Sequence, residues 1–382
     1  MDVIGIIVEY NPFHNGHKYQ IEMIKKMYPN SIIIVVMNGN FSQRGEPTIV
    51  DKWKRCEMAL INGVDLVVEL PFVFGTQSAD IFAHGALSIL NYLKINKLVF
   101  GSETNDINLF NELADIQINN KKYDKLVNDY LNKGYNYPTS MSKALKDISN
   151  FKIENSNDLL ALSYIKEIKK NKYNIEAISI KRTNDYKSND LNTNIINATT
   201  LRNIIKENKD IKKYIPIYKK DLYSNYVNIE DYFKLLKYKI LTEKDLTIYQ
   251  TVDEGIENRI NKYIVKSNTY EELINLIKTK RYTYNKISRM LCHILCNFTK
   301  EEAKRLKEVE YIRILGFTNS GKKYLNKIKK EISIPLISRF ASLKNNEMLN
   351  IEYRATKVYN SIFDNNKDYI EEEYKKTPIY FK

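Results

Sequence analysis

The segment Gly5–Gln20, GIIVEYNPFHNGHKYQ, places two histidines, His14 and His17, directly after an apolar run. A pair of imidazoles three residues apart can bind a metal, which needs further ligands, or can donate hydrogen bonds to phosphate oxygens. The chain has only two other histidines, His84 and His293, and no cysteine-rich cluster. The sequence therefore favours phosphate binding, in which the imidazoles stabilise the charge that develops when an α-phosphate is attacked.

The elements around the two histidines are predicted from local pattern. The nearly continuous apolar run at 3–8 is typical of a strand that is buried on both faces. Pro12 fixes its own φ and keeps Asn11 out of helical geometry, so the chain leaves the sheet in a tight loop. From Gly16 the apolar residues recur at helical spacing. The N–H groups at the start of this helix form an anion site, and Gly16 allows a phosphate to approach the backbone closely.

The same alternation continues along the first half of the chain. Apolar runs predict further strands at 31–37, 64–70, 97–100 and 175–180, and amphipathic patterns predict helices at 48–62 and 78–93. This order predicts an α/β fold with a doubly wound parallel sheet. Ligands bind such sheets at the carboxyl ends of the strands, where the strand order reverses.

The second half differs in composition and charge. We assign residues 1–205 to a nucleotide-binding catalytic domain, in which 106–172 is mostly helical, and 206–230 to a connection. Residues 231–382 read as a C-terminal all-helical domain. The first 120 residues hold 9 Lys/Arg against 13 Asp/Glu, whereas the remaining chain holds 51 against 33. Attraction to a polyanion such as RNA is therefore expected from the second half, although a general drift toward lysine produces the same excess.

Four separate motifs stand out along the first part of the chain. They are VEYNPFHNGH, GNFSQRGEPTIVDKWKR at 39–55, DLVVELPF at 65–72 and FGSE at 100–103. Taken together, they resemble the tRNA(Met) cytidine acetate ligase family of the HxGH nucleotidyltransferase superfamily, which implies a Rossmann-like nucleotidyltransferase sheet. The resemblance extends from the N-terminus to about residue 205 and continues more loosely beyond it. In that family ATP and acetate give acetyl-adenylate, and the acetyl group then passes to the exocyclic N4 of the wobble cytidine of elongator tRNA(Met).

The resemblance also implies the site residues. It assigns catalysis to His14, His17 and Lys18. The implied nucleotide contacts are Ile7, Val8, Glu9, Tyr10, Asn11, Pro12, Phe13, His14, Asn15, Gly16, His17, Lys18, Tyr19, Gln20, Gly101, Asn157 and Arg182. Thr199 and Arg202 are added from a motif that closes over the triphosphate in this superfamily. This chain departs from that motif at Asn197, where a serine is expected.

Some of these residues also have a structural interpretation. Ser156 or Asn157 can cap the helix that follows, and Arg182 can be an ordinary solvated cation at a strand end. Cys292, His293 and Cys296 lie in an apolar helical run, where core packing explains them better than a metal does. Basic and aromatic residues at 278–284, with Lys286 and Arg289 after them, and at 316–330 can bind RNA or form solvated helix faces.

The remaining expectations concern cellular context and rival functions. Three dispersed cysteines, no signal peptide and no apolar run of membrane-spanning length predict a cytoplasmic protein. ATP is the expected co-substrate, accompanied by Mg²⁺, for which the sequence shows no set of protein ligands. The expected partners are acetate and elongator tRNA(Met). An adenylyl- or cytidylyltransferase acting on a small molecule, or a non-catalytic RNA-binding protein, are the alternatives.

Overall fold

A computed structural model describes residues 1–182, 194–216, 222 and 225–382. The predicted connection at 206–230 lies partly outside these residues. The strands are β1 Val3–Val8, β2 Ile32–Asn38, β3 Leu66–Leu70, β4 Lys97–Ser102, β5 Glu176–Lys181, β6 Ile312–Thr318, β7 Leu336–Ile337 and β8 Ile379–Phe381. The α-helices are α1 Asn15–Met27, α2 Lys52–Ile61, α3 Phe72–Gly75, α4 Ala79–Tyr92, α5 Ile107–Asn119, α6 Lys121–Asn132, α7 Tyr137–Ser149, α8 Ser156–Lys170, α9 Ala198–Lys206, α10 Phe233–Thr242, α11 Ile256–Ile264, α12 Tyr270–Ile277, α13 Tyr284–Leu295, α14 Lys300–Arg305, α15 Asn319–Ile328, α16 Glu347–Asn360 and α17 Asn366–Lys375.

The strands form one sheet in the order β5-β4-β1-β2-β3-β6-β7, and β8 also pairs with β6. The five strands of the first half are parallel. The strand order reverses between β1 and β4, so their carboxyl ends border the crevice in which such sheets bind ligands. The predicted doubly wound α/β sheet is confirmed.

Side chains of the central strands alternate between two apolar layers. On β2, Ile33, Val35 and Met37 face the layer that contains α1, α2 and α9, whereas Ile34 and Val36 face the layer that contains α4 and α8. Because both faces are covered, β2 reads as an unbroken apolar run. No helix of the described part of the chain is long and apolar enough to cross a membrane.

The second half is not all-helical, which corrects the sequence interpretation. Its strand β6 pairs antiparallel with β3, while β7 and β8 pair parallel with β6. The sheet of the first half is therefore extended by three strands from the last 71 residues of the chain. The pattern was misleading because Arg313, the second residue of β6, reads as a solvent-facing position but is fully buried.

Arg313 belongs to a buried charge cluster that joins the two halves, formed by Lys52, Glu69, Arg313, Glu352 and Glu373. The Lys52 ammonium lies 2.6 Å from Glu69 and 2.8 Å from Glu373. The Arg313 guanidinium lies 3.0 Å from Glu69 and 2.8 Å from Glu373. Glu352 lies 3.6 Å from Lys52 and accepts the backbone N–H of the first residue of α3 at 2.7 Å. The cluster thus connects α2 and β3 with β6, α16 and α17.

Candidate active site

The two histidines cap the first turn of α1. His14 precedes the helix, and its Nδ1 accepts a hydrogen bond from the backbone N–H of Gly16 at 3.0 Å. The Nδ1 of His17 accepts from the backbone N–H of His14 at 3.3 Å. The two rings stack with their centroids 3.8 Å apart. Because each Nδ1 is an acceptor, the neutral form of each ring carries its proton on Nε2, from which it can donate.

Both imidazoles are held neutral. Burial, together with the positive charges of Arg182 and Arg202, lowers the pKa of His14 to about 3. Burial, the neighbouring His14 and the charge of Arg182 lower the pKa of His17 well below its ordinary value. At neutral pH the pair therefore offers two Nε2–H donors and no charge of its own. His14 is buried, whereas part of the surface of His17 is open to solvent.

Two aromatic rings support His17. The Tyr10 ring lies 4.7 Å from the His17 ring and the Phe13 ring lies 5.5 Å from it, measured between centroids. Tyr10 has a φ of 49°, which non-glycine residues seldom adopt, and this turn takes the chain sharply out of β1. Tyr10 and Phe13 were predicted as nucleotide contacts. The structure places their side chains in the core, where they position His17.

The loop between β2 and α2 is fastened to the end of β1. The backbone N–H of Gln43 donates to the Glu9 carboxylate at 2.8 Å, and the backbone N–H of Ile49 donates to the Asn11 side chain at 2.8 Å. The buried Arg55 of α2 donates to the carbonyl of Glu9 at 2.6 Å. It also donates to the carbonyls of the last residue of β2 and of the residue after it. These bonds hold the mouth of the crevice in one shape.

A second group of polar side chains meets where β4 and β5 end. The Glu103 carboxylate accepts a hydrogen bond from the Asn157 amide at 2.5 Å, and the same oxygen lies 3.5 Å from Nε of Arg182. A Cβ placed on Gly101 would lie 3.3 Å from the Arg182 side chain, so the glycine leaves room for that side chain to pass. The other Glu103 oxygen is buried without a hydrogen-bond partner in the structure.

The loop that carries Glu103 is fixed by the buried Asp158. Its carboxylate accepts from the hydroxyl groups of Ser102 at 2.6 Å and Thr104 at 2.8 Å, and from the backbone N–H of Glu103 at 3.1 Å. The backbone N–H of Thr104 donates a fourth hydrogen bond at 3.3 Å. These four bonds tie the end of β4 to the start of α8. The ends of these two elements cannot shift independently.

The capping interpretation of Ser156 and Asn157 is wrong. Asn155 occupies the position before α8 and makes no side-chain cap hydrogen bond, while Ser156 is the first helical residue. Asn157 lies inside the first turn, where its amide is turned toward Glu103. The structure therefore brings Asn157 to the group that contains Gly101 and Arg182, as the resemblance implied.

Helix α9 contacts the histidine turn, the segment from Asn11 to His17 that leads into α1. Arg202 donates to the carbonyl of Asn11 at 2.9 Å and to the Thr199 hydroxyl at 3.1 Å. The side chain of Asn197 accepts from the backbone N–H of Thr200 at 2.8 Å and caps α9. Asn197, which stands where a serine is expected, thus caps the helix as a serine can.

The remaining predicted contacts lie around the same turn. The Asn15 amide donates to the carbonyls of Asn194 at 2.8 Å and Lys213 at 3.0 Å. Lys18 lies partly exposed on α1, with its ammonium 3.6 Å from the Glu22 carboxylate. The other residues are partly or fully buried along β1, the loop and α1, and these are Ile7, Val8, Pro12, Gly16, Tyr19 and Gln20.

Sequence reasoning did not assign Glu103, Gln43 or Arg55 to the site. Glu103 carried a usable signal, because it is an acidic residue directly after a predicted strand in the quoted FGSE motif. Gln43 and Arg55 lie in the quoted motif at 39–55, but the motif does not indicate their role, which depends on hydrogen bonds to Glu9 at the end of a distant strand. Cys292, Cys296 and His293 are buried in α13 and the residue after it, as the packing interpretation predicted.

Comparison with known proteins gives one consistent result. A family model described as HIGH Nucleotidyl Transferase matches residues 1–374. The tRNA(Met) cytidine acetate ligase of Geobacillus sp. (strain WCH70) is 39% identical, with 99% of this chain and 100% of the relative covered. The protein of the same name from Clostridium perfringens (strain ATCC 13124) is 38% identical, and both chains are covered completely.

Solved structures agree with this result. The apo crystal structure of Thermotoga maritima TmcAL superposes with a TM-score of 0.91 at 30% identity, and 100% of each chain is covered. A second crystal structure of that protein, bound with alpha-thio ATP, gives a TM-score of 0.89 at the same identity and coverage. The match extends over the second half, including the strands that extend the sheet.

Proposed function

Because this chain belongs to the HIGH nucleotidyl transferases and, within them, to the tRNA(Met) cytidine acetate ligases, we propose that it acetylates a cytidine of tRNA(Met). In our proposal the substrate is the wobble cytidine of elongator tRNA(Met), and the product is N4-acetylcytidine. ATP and acetate are the other substrates. The tRNA substrate places the reaction in the cytoplasm.

The first step activates acetate. A carboxylate oxygen of acetate attacks the α-phosphorus of ATP, the bond from that phosphorus to the bridging oxygen breaks, and pyrophosphate leaves with the bond electrons. Negative charge builds on the phosphate oxygens as this happens. The Nε2–H groups of His14 and His17 donate to those oxygens, and the N-terminal end of α1 adds its partial positive charge.

The cations around the turn have a separate task. Arg182 lowers the pKa of both histidines and Arg202 lowers that of His14, so their charges also act on a phosphate bound there. Arg202 and the Thr199 hydroxyl, on α9, are proposed to hold the departing pyrophosphate. Lys18 is proposed as a further phosphate ligand that would exchange its exposed partner Glu22 for the nucleotide. No covalent bond to the protein is required.

The nucleoside end of ATP is proposed to lie over the ends of β4 and β5. Gly101 permits close approach, and Asn157 and Arg182 are held by Glu103. Mg²⁺ is proposed to accompany the triphosphate. Within the described residues no group of three or more His, Cys, Asp or Glu side chains has the arrangement of a metal site.

The second step transfers the acetyl group. The N4 amine of the cytidine attacks the acetyl carbonyl carbon, the carbon–oxygen bond to AMP breaks, and AMP leaves while the amine loses a proton to solvent. The positive excess of residues 121–382, with 51 Lys/Arg against 33 Asp/Glu, supports binding of the tRNA by the second half.

The observation that carries the proposal is the histidine pair, whose Nδ1 atoms are both occupied by backbone N–H groups. The test is an assay with labelled acetate, ATP and unmodified elongator tRNA(Met). We expect label in the tRNA only when all three are present, and acetate-dependent formation of acetyl-adenylate without tRNA. AMP release that ignores acetate and tRNA would indicate a small-molecule nucleotidyltransferase, and an absence of ATP binding would leave an RNA-binding protein.

A further inference from the structure

Helix α13 carries two cations one turn apart, Lys286 and Arg289, which we name the α13 cation pair. A spacing of three residues places them on the same face of the helix. Burial lowers the pKa of Lys286, and the charges of Arg281 and Arg289 lower it too, against the opposing charges of Glu254 and Asp253. The pair stands beside the loop between β2 and α2, because a Cβ placed on Gly45 of that loop would lie 2.6 Å from Cα of Arg289.

Arg289 has no partner within the part of the chain that the structure describes. No carbonyl, hydroxyl or carboxylate there accepts a hydrogen bond from its guanidinium, and no ion pair includes it. The side chain is partly buried, and this burial lowers its pKa to about 10. The fully buried arginines differ, since Arg55 donates to backbone carbonyls and Arg313 to two carboxylates.

The two tyrosines next to the α13 cation pair already have contacts within the protein. The Lys286 ammonium lies 4.3 Å from the centre of the Tyr282 ring, and that ring is buried. The Tyr282 hydroxyl donates to the carbonyl of Asp253 at 2.7 Å, and the Tyr284 hydroxyl donates to the Glu46 carboxylate at 3.0 Å. The Tyr282 ring therefore does not offer an exposed face on which an RNA base could stack. What this part of α13 offers a ligand is charge.

A partly buried guanidinium without a protein partner has unused hydrogen-bond donors, and an anion that supplies acceptor oxygens satisfies them. A phosphodiester fits the α13 cation pair, because a guanidinium binds two of its oxygens side by side and an ammonium adds a point charge. We propose that the α13 cation pair binds a backbone phosphate of the tRNA substrate. This inference rests on the proposed function, which supplies the polyanion.

The position of the pair gives this contact a purpose. The adjacent loop is fastened to the end of β1 by the hydrogen bond from Gln43 to Glu9. A phosphate held by Arg289 therefore lies against the segment that borders the histidine turn. Phosphate contacts fix the register of a nucleic acid without reading its sequence. The contact would hold the tRNA backbone in place while a cytidine enters the crevice.

The test measures how tRNA binding depends on salt. Each phosphate contact contributes about 0.7 to 0.9 to the slope of log affinity against log salt concentration. We expect Arg289→Met to reduce that slope by about 0.7 to 0.9, and Arg289→Lys to retain most of it. Arg305→Gln is the matched control, since Arg305 is already paired with Glu347 at 2.5 Å on the surface, and it should leave the slope unchanged.

Thermal melting separates this role from a structural one. Removal of an unpaired, partly buried charge should leave the melting temperature of Arg289→Met equal to or above that of the unmodified protein. A folded Arg289→Met protein with an unchanged slope would overturn the inference. Should that variant fail to fold, Lys286→Gln must lower the slope, and an unchanged slope in a folded Lys286→Gln protein overturns the inference equally. The proposed function fails separately, if the unmodified protein forms no acetyl-adenylate.

Discussion

The histidine turn and the buried charge cluster both hold polar side chains away from solvent, but they differ in how the hydrogen-bond donors are satisfied. In the cluster, both cations of Lys52 and Arg313 lie within 3.0 Å of carboxylates, and the whole group is closed to solvent. In the turn, the imidazoles of His14 and His17 are neutral, and within the described part of the chain nothing accepts a hydrogen bond from their Nε2–H groups. The difference teaches that unused donor capacity beside positive charge, and not charge alone, distinguishes an anion site.

A proton on Glu352 balances the positive and negative charges of the buried charge cluster. A Cβ placed on Gly39 would lie 2.5 Å from an oxygen of Glu352 and 3.1 Å from an oxygen of Glu69, so these two carboxylates are neighbours. Burial and the charge of Glu69 raise the pKa of Glu352 to about 8. Burial alone would raise the pKa of Glu373, but Lys52 and Arg313 lower it to about 2. With Glu352 protonated, two cations face two carboxylates.

The largest effect is expected in the cluster. Lys52→Met leaves the carboxylates of Glu69 and Glu373 with Arg313 as their remaining cation, and an uncompensated buried charge costs about 3 to 5 kcal/mol in free energy of unfolding. Urea unfolding measures this loss. Lys26→Met, at an exposed position of α1, is the control and should change the free energy of unfolding by less than about 0.5 kcal/mol. A similarly small change in Lys52→Met would show that the cluster does not join the two halves.

A large effect on activity, without unfolding, is expected in the histidine turn. His17→Ala removes one donor to the phosphates, which costs on the order of 3 kcal/mol in the barrier and so about two orders of magnitude in rate. Formation of acetyl-adenylate from labelled acetate measures it. His84→Ala is the matched control, because His84 lies on α4 and pairs with Glu167 at 2.7 Å. Undiminished acetyl-adenylate formation by His17→Ala would refute the assignment.

A smaller effect is expected at Glu103, which acts through its neighbours. Glu103→Gln keeps an acceptor for the Asn157 amide but removes the charge that lies 3.5 Å from Arg182. We expect the KM for ATP to rise about tenfold, equivalent to about 1.4 kcal/mol, with little change in kcat. Steady-state kinetics of acetate-dependent AMP release measures both constants. A fall in kcat at constant KM would contradict a positioning role.

The smallest loss is expected for Glu352→Gln, because glutamine resembles a protonated glutamate. The folded pKa of about 8 exceeds the ordinary value of 4.5, so between these values the folded protein keeps a proton that the unfolded chain has lost. Glu352 therefore makes the unmodified protein less stable as pH rises through this window, by at most about 1.4 kcal/mol per pH unit. The variant lacks this dependence. The free energy of unfolding of Glu352→Gln minus that of the unmodified protein should therefore increase from pH 5 to pH 8.

The two regions also differ in what sequence could predict. The histidine turn was predictable because its parts are local: an apolar run ends at Glu9, Pro12 breaks it, and a helix follows Gly16. The parallel strands were predictable for the same reason. The use of Nδ1 as a helix cap was not, because asparagine, aspartate, serine and threonine are the usual capping residues.

The cluster was not predictable, since it depends on contacts across the chain. Lys52 and Glu69 lie in the quoted motifs, yet their role depends on Arg313, 244 positions after Glu69. A charged residue inside β6 broke the apolar pattern that identified the other strands, so the second half read as helical. Two of the four motifs that carry the resemblance therefore contribute residues to this structural junction.

A crystal structure of this protein with an ATP analogue tests the central claim most directly. The account predicts the α-phosphate at the N-terminal end of α1, with phosphate oxygens within hydrogen-bond distance of Nε2 of His14 and His17 while both Nδ1 atoms keep their backbone N–H groups. Phosphates bound elsewhere, or imidazoles that have turned Nδ1 toward the nucleotide, would contradict it.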